Sequence, residues 1–335
     1  MVRRERTVRK AADDWQQWLK QELAPLEDYL RSAVNSDDTL IQSAALSLIE
    51  AGGKRLRPAL AYLAGRIYGA DWEQMLPLLA ALELIHTGSL VHDDVIDKAS
   101  LRRGRPTVSF VHGGAAALYV GDFLIGRSLE LVAVYQNPRI DRALNRTVLQ
   151  MCRGELNQER DFFRLSQGTL AYFYRIRCKT ALLFAGSLEC GAALAGAAET
   201  AVDGCWRLGY NLGLAFQIID DLLDLLADEQ MTGKPAGNDL KQGNLTLPVL
   251  LALREPGADH LATAILGIRK DKPGALAEAL RLVRESDGGA HAAGVARRLL
   301  ERAGQECRKL PACREREHLA GALHSFDKQL AQLIK

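Results

Sequence analysis

The chain has little cysteine and almost no net charge, and each shortage excludes a class of protein. Six cysteines in 335 residues, with no Cys-x-x-Cys pair, exclude a disulfide scaffold and a cysteine-rich zinc site and indicate reduced thiols. The 43 basic and 41 acidic side chains nearly cancel, so the chain lacks the broad positive field of nucleic-acid binding proteins. We therefore expect a small ligand, bound by a local cluster, and no nucleic-acid partner.

Long apolar runs are also missing. The least polar stretch, residues 181–198, consists largely of Ala and Gly and is interrupted by Glu189, which favours a close-packed buried helix over a membrane span. The N-terminus is basic but lacks the apolar core of a secretory signal peptide. We expect residues 1–12 to form a flexible basic arm and the protein to be cytoplasmic.

Helical periodicity dominates the sequence, and no clean alternation of apolar and polar residues predicts a strand. Most of the ten prolines lie in loops or at the starts of segments, with long proline-free runs between them. No Ser/Pro-rich linker or block of charge divides the chain, so we predict one all-α domain over residues 1–335. The predicted helices span residues 13–34, 38–51, 54–69, 71–97, 107–135, 139–162, 169–197, 200–227, 246–252, 258–270, 274–285, 288–309 and 312–333.

Two aspartate clusters with the pattern Asp-Asp-x-x-Asp carry the first functional signal. The first cluster is Asp93, Asp94 and Asp97, and the second cluster is Asp220, Asp221 and Asp224. In each, aspartates four residues apart share one helix face, while the flanking Leu, Ile and Val side chains point into the core. One such pattern is usually a solvated acidic face or a helix cap, but two copies in apolar surroundings indicate a Mg²⁺ site that bridges carboxylates to substrate phosphates.

Basic residues near these clusters are suited to the oxygens of a metal-bound diphosphate. Lys54 and Arg57 are expected on one face of a helix that opens after Gly52 and Gly53, whose free N–H groups also favour anion binding. An Arg102-Arg103 pair follows the first cluster. Such pairs are usually surface charges, but beside an aspartate cluster we expect them to bind phosphate.

These motifs closely resemble those of the trans (E-type) polyprenyl diphosphate synthases over about residues 20–330. Within that family the sequence looks most like the large catalytic subunits, component II, of bacterial heptaprenyl diphosphate synthases. The resemblance implies a large all-α bundle of ten or more helices around a central active-site cavity. The motifs that carry it are GGKRLRP, ELIHTGSLVHDDVIDKASLRRGRPT, GDFL, RGELNQ, RCKTALLF, GLAFQIIDDLLD and TGKPAGNDLKQGNLTLPV.

The resemblance implies a prenyltransferase that adds isopentenyl diphosphate head-to-tail to an allylic diphosphate, such as farnesyl diphosphate. A cluster of about three Mg²⁺ ions would stabilise the departing diphosphate, so that the allylic carbon–oxygen bond ionises. The cation is then alkylated by isopentenyl diphosphate, and loss of a proton restores the alkene. By the same resemblance Asp93, Asp97 and Asp220 are catalytic metal ligands, supported by Asp94, Asp221 and Asp224.

The resemblance also assigns the two diphosphates to separate sets of side chains. Lys179 belongs with the catalytic aspartates as well as with the allylic set. His86 lies seven residues before Asp93 and so on nearly the same helix face, although it could instead be a satisfied helix histidine. Lys179 and Thr180 would, without the family motif, be taken for ordinary helix residues. The isopentenyl set is Lys54, Arg57, His86 and Arg103, and the allylic set is Arg102, Lys179, Thr180, Gln217 and Lys234.

Product length is the most detailed expectation. In the family a bulky aromatic residue five positions before the first aspartate stops elongation early, and here that position is Gly88. An open floor at Gly88, with Ser89 beside it and Ile85 and Leu84 further along the helix, implies a long product, heptaprenyl within a range from hexaprenyl to decaprenyl. The alternative is that Gly88 only lets two helices approach closely.

Other functions and partners stay open at this stage. A terpene cyclase would ionise the same kind of substrate, but its second metal motif is usually of the Asn-Ser-Glu/Asp-Thr-Glu type. A non-catalytic or partner-dependent subunit, or a shorter-chain geranylgeranyl or farnesyl synthase, is a further alternative. The resemblance allows either a homodimer or a heterodimer with a small component I subunit, with loose membrane association for product release.

Overall fold

The all-α prediction is confirmed. The computed structural model describes residues 15, 17–226 and 236–333 of the chain. Residues 17–22 are helical and precede the helices with defined bounds. These are α1 Ala24–Ala33, α2 Thr39–Glu50, α3 Leu56–Ile67, α4 Trp72–Ile96, α5 Val108–His112, α6 Gly114–Ala133, α7 Pro138–Asp161, α8 Thr169–Ile176, α9 Leu182–Leu194, α10 Glu199–Leu226, α11 Asn238–Gln242, α12 Leu247–Ala252, α13 Asp259–Arg269, α14 Ala275–Glu285, α15 Gly288–Lys309 and α16 Arg314–Leu333.

Three predicted helices are interrupted, each for a local reason. The helix predicted over 13–34 breaks at Leu23, because Pro25 lies in the first turn of α1 and has no N–H to continue the preceding helix. The helix predicted over 107–135 divides at Gly113, whose φ of 87° is outside the helical region. The helix predicted over 169–197 contains a wide π-turn, Arg177–Ala181, between α8 and α9.

Two short elements were not predicted. Strands β1 Leu101–Arg102 and β2 Arg105–Pro106 pair antiparallel and form a hairpin directly after the first cluster. The turn between them is made by Arg103 and Gly104, both with positive φ. The five-residue helix α11 is the second unpredicted element, since its apolar pattern is too short to show a period.

The chain forms two compact units, and each is assembled from separate stretches of sequence. Among the described residues, the first unit takes those within 1–148, 186–206 and 310–319, and the second unit takes those within 149–185, 207–309 and 320–335. No single linker separates them in the sequence. The first cluster belongs to the first unit and the second cluster to the second unit. A single domain over 1–335 stays a prediction.

The core of the first unit is built around α4. Leu78, Leu79, Leu82 and Leu84 on this helix have no exposed surface. Among the described residues α4 is the one helix long and apolar enough to cross a membrane, but 67% of its most apolar window is buried in the protein. It is therefore read as a core helix, which holds the first cluster in its last turns.

Candidate active site

The first cluster occupies the C-terminal end of α4. Asp93 and Asp94 are buried, and Asp97 is the residue that caps the helix. The Oδ1 atom of Asp94 accepts a hydrogen bond of 2.6 Å from Nε of Arg102, which the β1–β2 hairpin turns back toward α4. Burial raises the pKa of Asp94, and Arg102 opposes that rise. Arg102, assigned by resemblance to the allylic diphosphate, is thus paired with a cluster carboxylate here.

Three residues of the predicted isopentenyl set lie close enough to interact strongly. Burial, followed by the positive charges of Arg57, Arg103 and Arg102, holds the pKa of His86 well below its usual value, so His86 is neutral near pH 7. Burial lowers the pKa of Arg57 to about 10; Glu83 opposes this shift and Arg103 adds to it. Arg57 and Arg103 both act on His86, and Arg103 acts on Arg57, so a bound anion would relieve the repulsion among these groups.

The predicted placement of Lys54 is wrong. Helix α3 begins at Leu56, because Arg55 has a left-handed φ of 47° that no helical residue can adopt. Lys54 is exposed and precedes the helix, so it does not share a helix face with Arg57. Its assignment to isopentenyl diphosphate stays a prediction based on the motif.

Arg55, between those two residues, has a structural role that the sequence did not reveal. Its Nε and Nη2 atoms donate to the two carboxylate oxygens of Glu27 at 2.8 and 2.9 Å, and Nη1 donates to Glu83 at 2.7 Å. Nη2 also donates to the carbonyl oxygen of Ile49 at 3.0 Å. Two carboxylates compensate this buried guanidinium, which therefore ties the start of α3 to neighbouring helices.

The Gly52-Gly53 pair contacts the guanidinium of Arg103, and its expected role in anion binding stays a prediction. Nη1 of Arg103 donates a hydrogen bond to the carbonyl oxygen of Gly52. A Cβ atom on Gly53 would lie 2.9 Å from the same Nη1. The missing side chain at Gly53 therefore lets the guanidinium lie directly against the backbone.

The second cluster lies near the C-terminal end of α10 and belongs to a hydrogen-bonded chain. Oδ1 of Asp221 accepts from Nε2 of Gln217 at 2.9 Å, and Oδ2 accepts from the hydroxyl of Tyr172 at 2.6 Å. Oε1 of Gln217 accepts from the hydroxyl of Thr180 at 2.6 Å. The structure thus brings the predicted residues Gln217 and Thr180 to the second cluster, whereas sequence reasoning missed Tyr172. Asp220 is exposed.

Lys179 and Thr180 lie in the π-turn rather than in a regular helix. Nζ of Lys179 is 3.0 Å from a carboxylate oxygen of Glu155 on α7. A Cβ atom on Gly154 would lie only 2.8 Å from Cβ of Cys178, so glycine at 154 lets the wide turn approach α7. Single π-turns within helices are common at functional sites.

Two carboxylates of the second cluster, Asp221 and Asp224, have raised pKa values. Burial, with the negative charges of Asp239 and Asp220, raises the pKa of Asp221 to about 8, against the hydrogen bonds from Tyr172 and Gln217. Burial and Asp239 raise the pKa of Asp224 to about 6, against backbone N–H donors. A divalent cation would relieve this repulsion, so the oxygen donors of this cluster fit Mg²⁺.

Asp239 is the second residue that sequence reasoning missed. Its backbone N–H and that of Asn238 each donate to a carboxylate oxygen of Asp224 at 3.1 Å. Nδ2 of Asn244 donates to Oδ1 of Asp239 at 3.0 Å. The available signal was the GNDLKQGN segment that follows the second cluster, but α11 was not predicted there.

No closed metal cage is formed by the protein side chains alone within the described ranges. There, no group of three or more His, Cys, Asp or Glu side chains is arranged to hold an ion. Mg²⁺ in enzymes usually takes one or two carboxylates together with waters and substrate phosphates. The arrangement of the clusters therefore suits an ion that arrives with a diphosphate.

Gly88 packs against α6, and its expected role as an open floor for the product stays a prediction. A Cβ atom on Gly88 would lie 2.9 Å from the carbonyl oxygen of Gly121 and 3.0 Å from Cγ1 of Ile125, both on α6. Gly88 therefore lies where α4 and α6 approach each other closely. The alternative interpretation of this glycine, helix packing, is the one that the structure favours.

The other residues expected to set product length have mixed surroundings. Leu84 and Ile85 are fully buried. Ser89 is half-buried and donates from its hydroxyl to the carbonyl oxygen of His86 at 2.8 Å. Their role in product length stays a prediction.

Some predictions fall outside the part of the chain that the structure describes. Lys234, expected in the allylic set, lies in the range 227–235 between the described segments. The basic arm expected over residues 1–12 also lies outside them. Both stay predictions from the sequence.

The chain is similar to known proteins over most of its length. A family model described as polyprenyl synthetase matches residues 38–283. Heptaprenyl diphosphate synthase component 2 of Geobacillus stearothermophilus is 49% identical over 71% of this chain and 74% of that protein. The protein of the same name from Bacillus subtilis is 37% identical over 93% of this chain and 89% of that one. A heptaprenyl diphosphate synthase structure from Staphylococcus aureus has a TM-score of 0.87 and 35% identity, covering 92% of this chain and 98% of that one.

Proposed function

This chain belongs to the polyprenyl synthetase family, and from that premise we propose that its two aspartate clusters bind Mg²⁺ and act on an allylic diphosphate. The enzyme is a long-chain trans-prenyltransferase, like its relatives. The observation that carries the metal proposal is the second cluster, in which burial and neighbouring carboxylates raise the pKa of Asp221 to about 8. Such a group needs a cation to stay charged near neutral pH.

We propose that the aspartates of each cluster have two different roles. Asp93, Asp97 and Asp220 bind the metal ions directly. Asp94 and Asp221 accept hydrogen bonds from neighbouring side chains and act in support, as does Asp224, which accepts from two backbone N–H groups. When bound, about three Mg²⁺ ions would stabilise the charge on the departing diphosphate.

The remaining residues bind and orient the two substrates. Arg57 and Arg103, with neutral His86, hold isopentenyl diphosphate, and the lowered pKa values of these groups support an anion among them. Lys179 supplies a cation to the allylic diphosphate, beside the dipoles of Thr180 and Gln217. The family motif also assigns Lys54 to isopentenyl diphosphate, and Arg102 and Lys234 to the allylic diphosphate.

We propose heptaprenyl diphosphate as the product, made from isopentenyl diphosphate and farnesyl diphosphate or a similar primer. The names of the relatives from Geobacillus stearothermophilus, Bacillus subtilis and Staphylococcus aureus support this length. Products from hexaprenyl to decaprenyl form the range around it. A shorter-chain synthase is the alternative that product chromatography would reveal.

We propose that the enzyme acts as a dimer, with a second copy or with a smaller partner subunit. Two relatives carry the name component 2, which supports a heteromeric partner. Exposed apolar side chains, among them Tyr119 on α6 and Leu149 on α7, are available for such contacts. The six free cysteines support a cytoplasmic location, with loose membrane association to release an apolar product.

Substitution of the aspartates tests the metal proposal. Asp93→Ala and Asp220→Ala should each lower turnover by several orders of magnitude while the circular dichroism spectrum stays helical, because transition-state charge stabilisation is lost. Asp259→Ala, at an exposed position on α13, is the matched control. The assay uses isopentenyl and farnesyl diphosphates with Mg²⁺, with and without the partner subunit. Turnover near that of the wild type in either cluster variant would contradict the proposal.

A further inference from the structure

Tyr172 on α8 is one of the largest fully buried side chains in the described part of the protein. Its hydroxyl donates to Oδ2 of Asp221 at 2.6 Å. That distance is at the short end of the usual range for a hydrogen bond between a hydroxyl and an oxygen acceptor.

Both oxygens of Asp221 are engaged by protein donors. Gln217 donates to Oδ1, and Thr180 in turn donates to Gln217. Asp221 is therefore held from two sides, with only 3% of its surface exposed. The adjacent residue on α10, Asp220, is exposed, since successive helix residues point about 100° apart.

Tyr172 is itself fixed by its neighbours. The guanidinium of Arg175, one turn further along α8, lies 5.4 Å from the centre of the tyrosine ring. Nη2 of Arg175 donates to the carbonyl oxygen of Leu245 at 2.9 Å, and Nε2 of Gln167 donates to the same oxygen at 3.1 Å. This carbonyl anchors the arginine over the ring, so the hydroxyl has little freedom to leave Asp221.

We propose that Tyr172 is a positioning residue for the second cluster: its hydroxyl fixes the buried carboxylate of Asp221 and so stabilises the part of α10 that presents Asp220 for metal binding. This inference rests on the metal role proposed above. Tyr172 touches neither metal nor substrate and acts only through Asp221. Side chains that orient metal ligands in this way typically contribute about 10–100-fold to metal affinity or activity.

Metal binding, measured apart from turnover, tests this role. Mn²⁺ is titrated into each variant in the presence of inorganic diphosphate, and free Mn²⁺ is followed by electron paramagnetic resonance. Tyr172→Phe keeps the ring and its contact with Arg175 but removes the hydroxyl. We expect its Mn²⁺ dissociation constant to rise about 10-fold or more, with the KM for isopentenyl diphosphate unchanged.

Tyr174→Phe is the matched control. It removes a hydroxyl from the same helix at a position that is 37% exposed, where the hydroxyl is hydrogen-bonded to Cys178 rather than to an aspartate of the second cluster. Its Mn²⁺ affinity should equal that of the wild type. A loss as large as that of Tyr172→Phe would show a general effect on α8 and overturn the proposal.

A double-mutant cycle shows whether Tyr172 acts through Asp221. In an Asp221→Ala background, which removes the acceptor oxygens, Tyr172→Phe should cause no further loss of Mn²⁺ affinity. Equal losses in both backgrounds, or an unchanged affinity in the single variant, would overturn the proposal. If wild-type Mn²⁺ binding does not depend on Asp220, the metal role of the cluster fails instead, and the two failures are thus distinct.

A rescue experiment tests the proposal if the Tyr172→Phe variant folds poorly. Incorporation of 4-aminophenylalanine in place of Tyr172 keeps the ring and restores a hydrogen-bond donor. We expect Mn²⁺ affinity to recover most of the loss. A folded protein with this donor and with weakened metal binding would contradict the proposal.

Discussion

At the scale of single residues, a buried charge that other protein side chains balance has a structural role. Arg55 is buried between Glu27 and Glu83, so its charge is balanced within the protein. Arg57, two residues later, has its pKa lowered to about 10 by burial and by Arg103, while Glu83 opposes this shift. A buried cation whose pKa is lowered in this way is one that a bound anion would stabilise.

The two diphosphates should respond to different residues. Arg57→Gln should mainly raise the KM for isopentenyl diphosphate, and Lys179→Gln mainly the KM for the allylic substrate. Each change removes a charged hydrogen bond of about 1.5–3 kcal/mol, which corresponds to at least about a tenfold effect. Steady-state kinetics with each substrate varied in turn provide the measurement, and equal effects on both KM values would show that the sets are wrongly assigned.

At the scale of elements, particular glycines determine how closely neighbouring elements pack. Gly88 lets α4 meet the backbone of α6, and Gly154 lets α7 meet the π-turn that carries Lys179. A methyl group at either position would come within 3 Å of an atom of the neighbouring element. These glycines therefore fix elements that carry predicted site residues.

Alanine at Gly88 should destabilise the protein. Its Cβ would lie 2.9 Å from the carbonyl oxygen of Gly121, so α6 would have to move. Overpacking of this kind costs about 1–3 kcal/mol. Gly126→Ala on α6 is the control, because a Cβ there meets nothing within 4 Å and should stabilise the helix by about 0.5–1 kcal/mol. Urea unfolding measures both, and a Gly88→Ala variant as stable as Gly126→Ala would refute this packing role.

At the scale of the whole molecule, the polypeptide passes between its two units several times. Residues 186–206 and 310–319 return to the first unit after long stretches in the second. Both units depend on segments distant in sequence, which explains why no linker appears in the sequence. Neither unit is a continuous piece of chain that could be truncated cleanly.

The whole-molecule prediction concerns the partner. We expect the purified chain alone to condense isopentenyl and farnesyl diphosphates more slowly than the chain mixed with a small component 1 subunit, because two relatives carry the name component 2. Gel filtration of the mixture should show one complex. Full activity of a homodimer without that subunit would reject the heteromeric proposal and leave the metal proposal intact.

The sequence by itself determined the all-α class and the two aspartate clusters. It also carried the resemblance to polyprenyl synthases. These features are local: the helical period and the four-residue spacing of Asp93 and Asp97 can be recognised within a few turns of chain. The breaks at Leu23 and Gly113 were local too, but Pro25 and Gly113 were outweighed by the apolar periodicity around them.

Only the tertiary structure decided which partners these residues meet. The hydroxyl that holds Asp221 comes from Tyr172, and the backbone that Gly88 approaches belongs to Gly121. The positive charge of Arg55 is balanced by Glu27 and Glu83, which lie on other segments. Such contacts join positions tens of residues apart, and no local pattern specifies them, because they follow from how buried surfaces pack and how buried polar groups find hydrogen-bond partners.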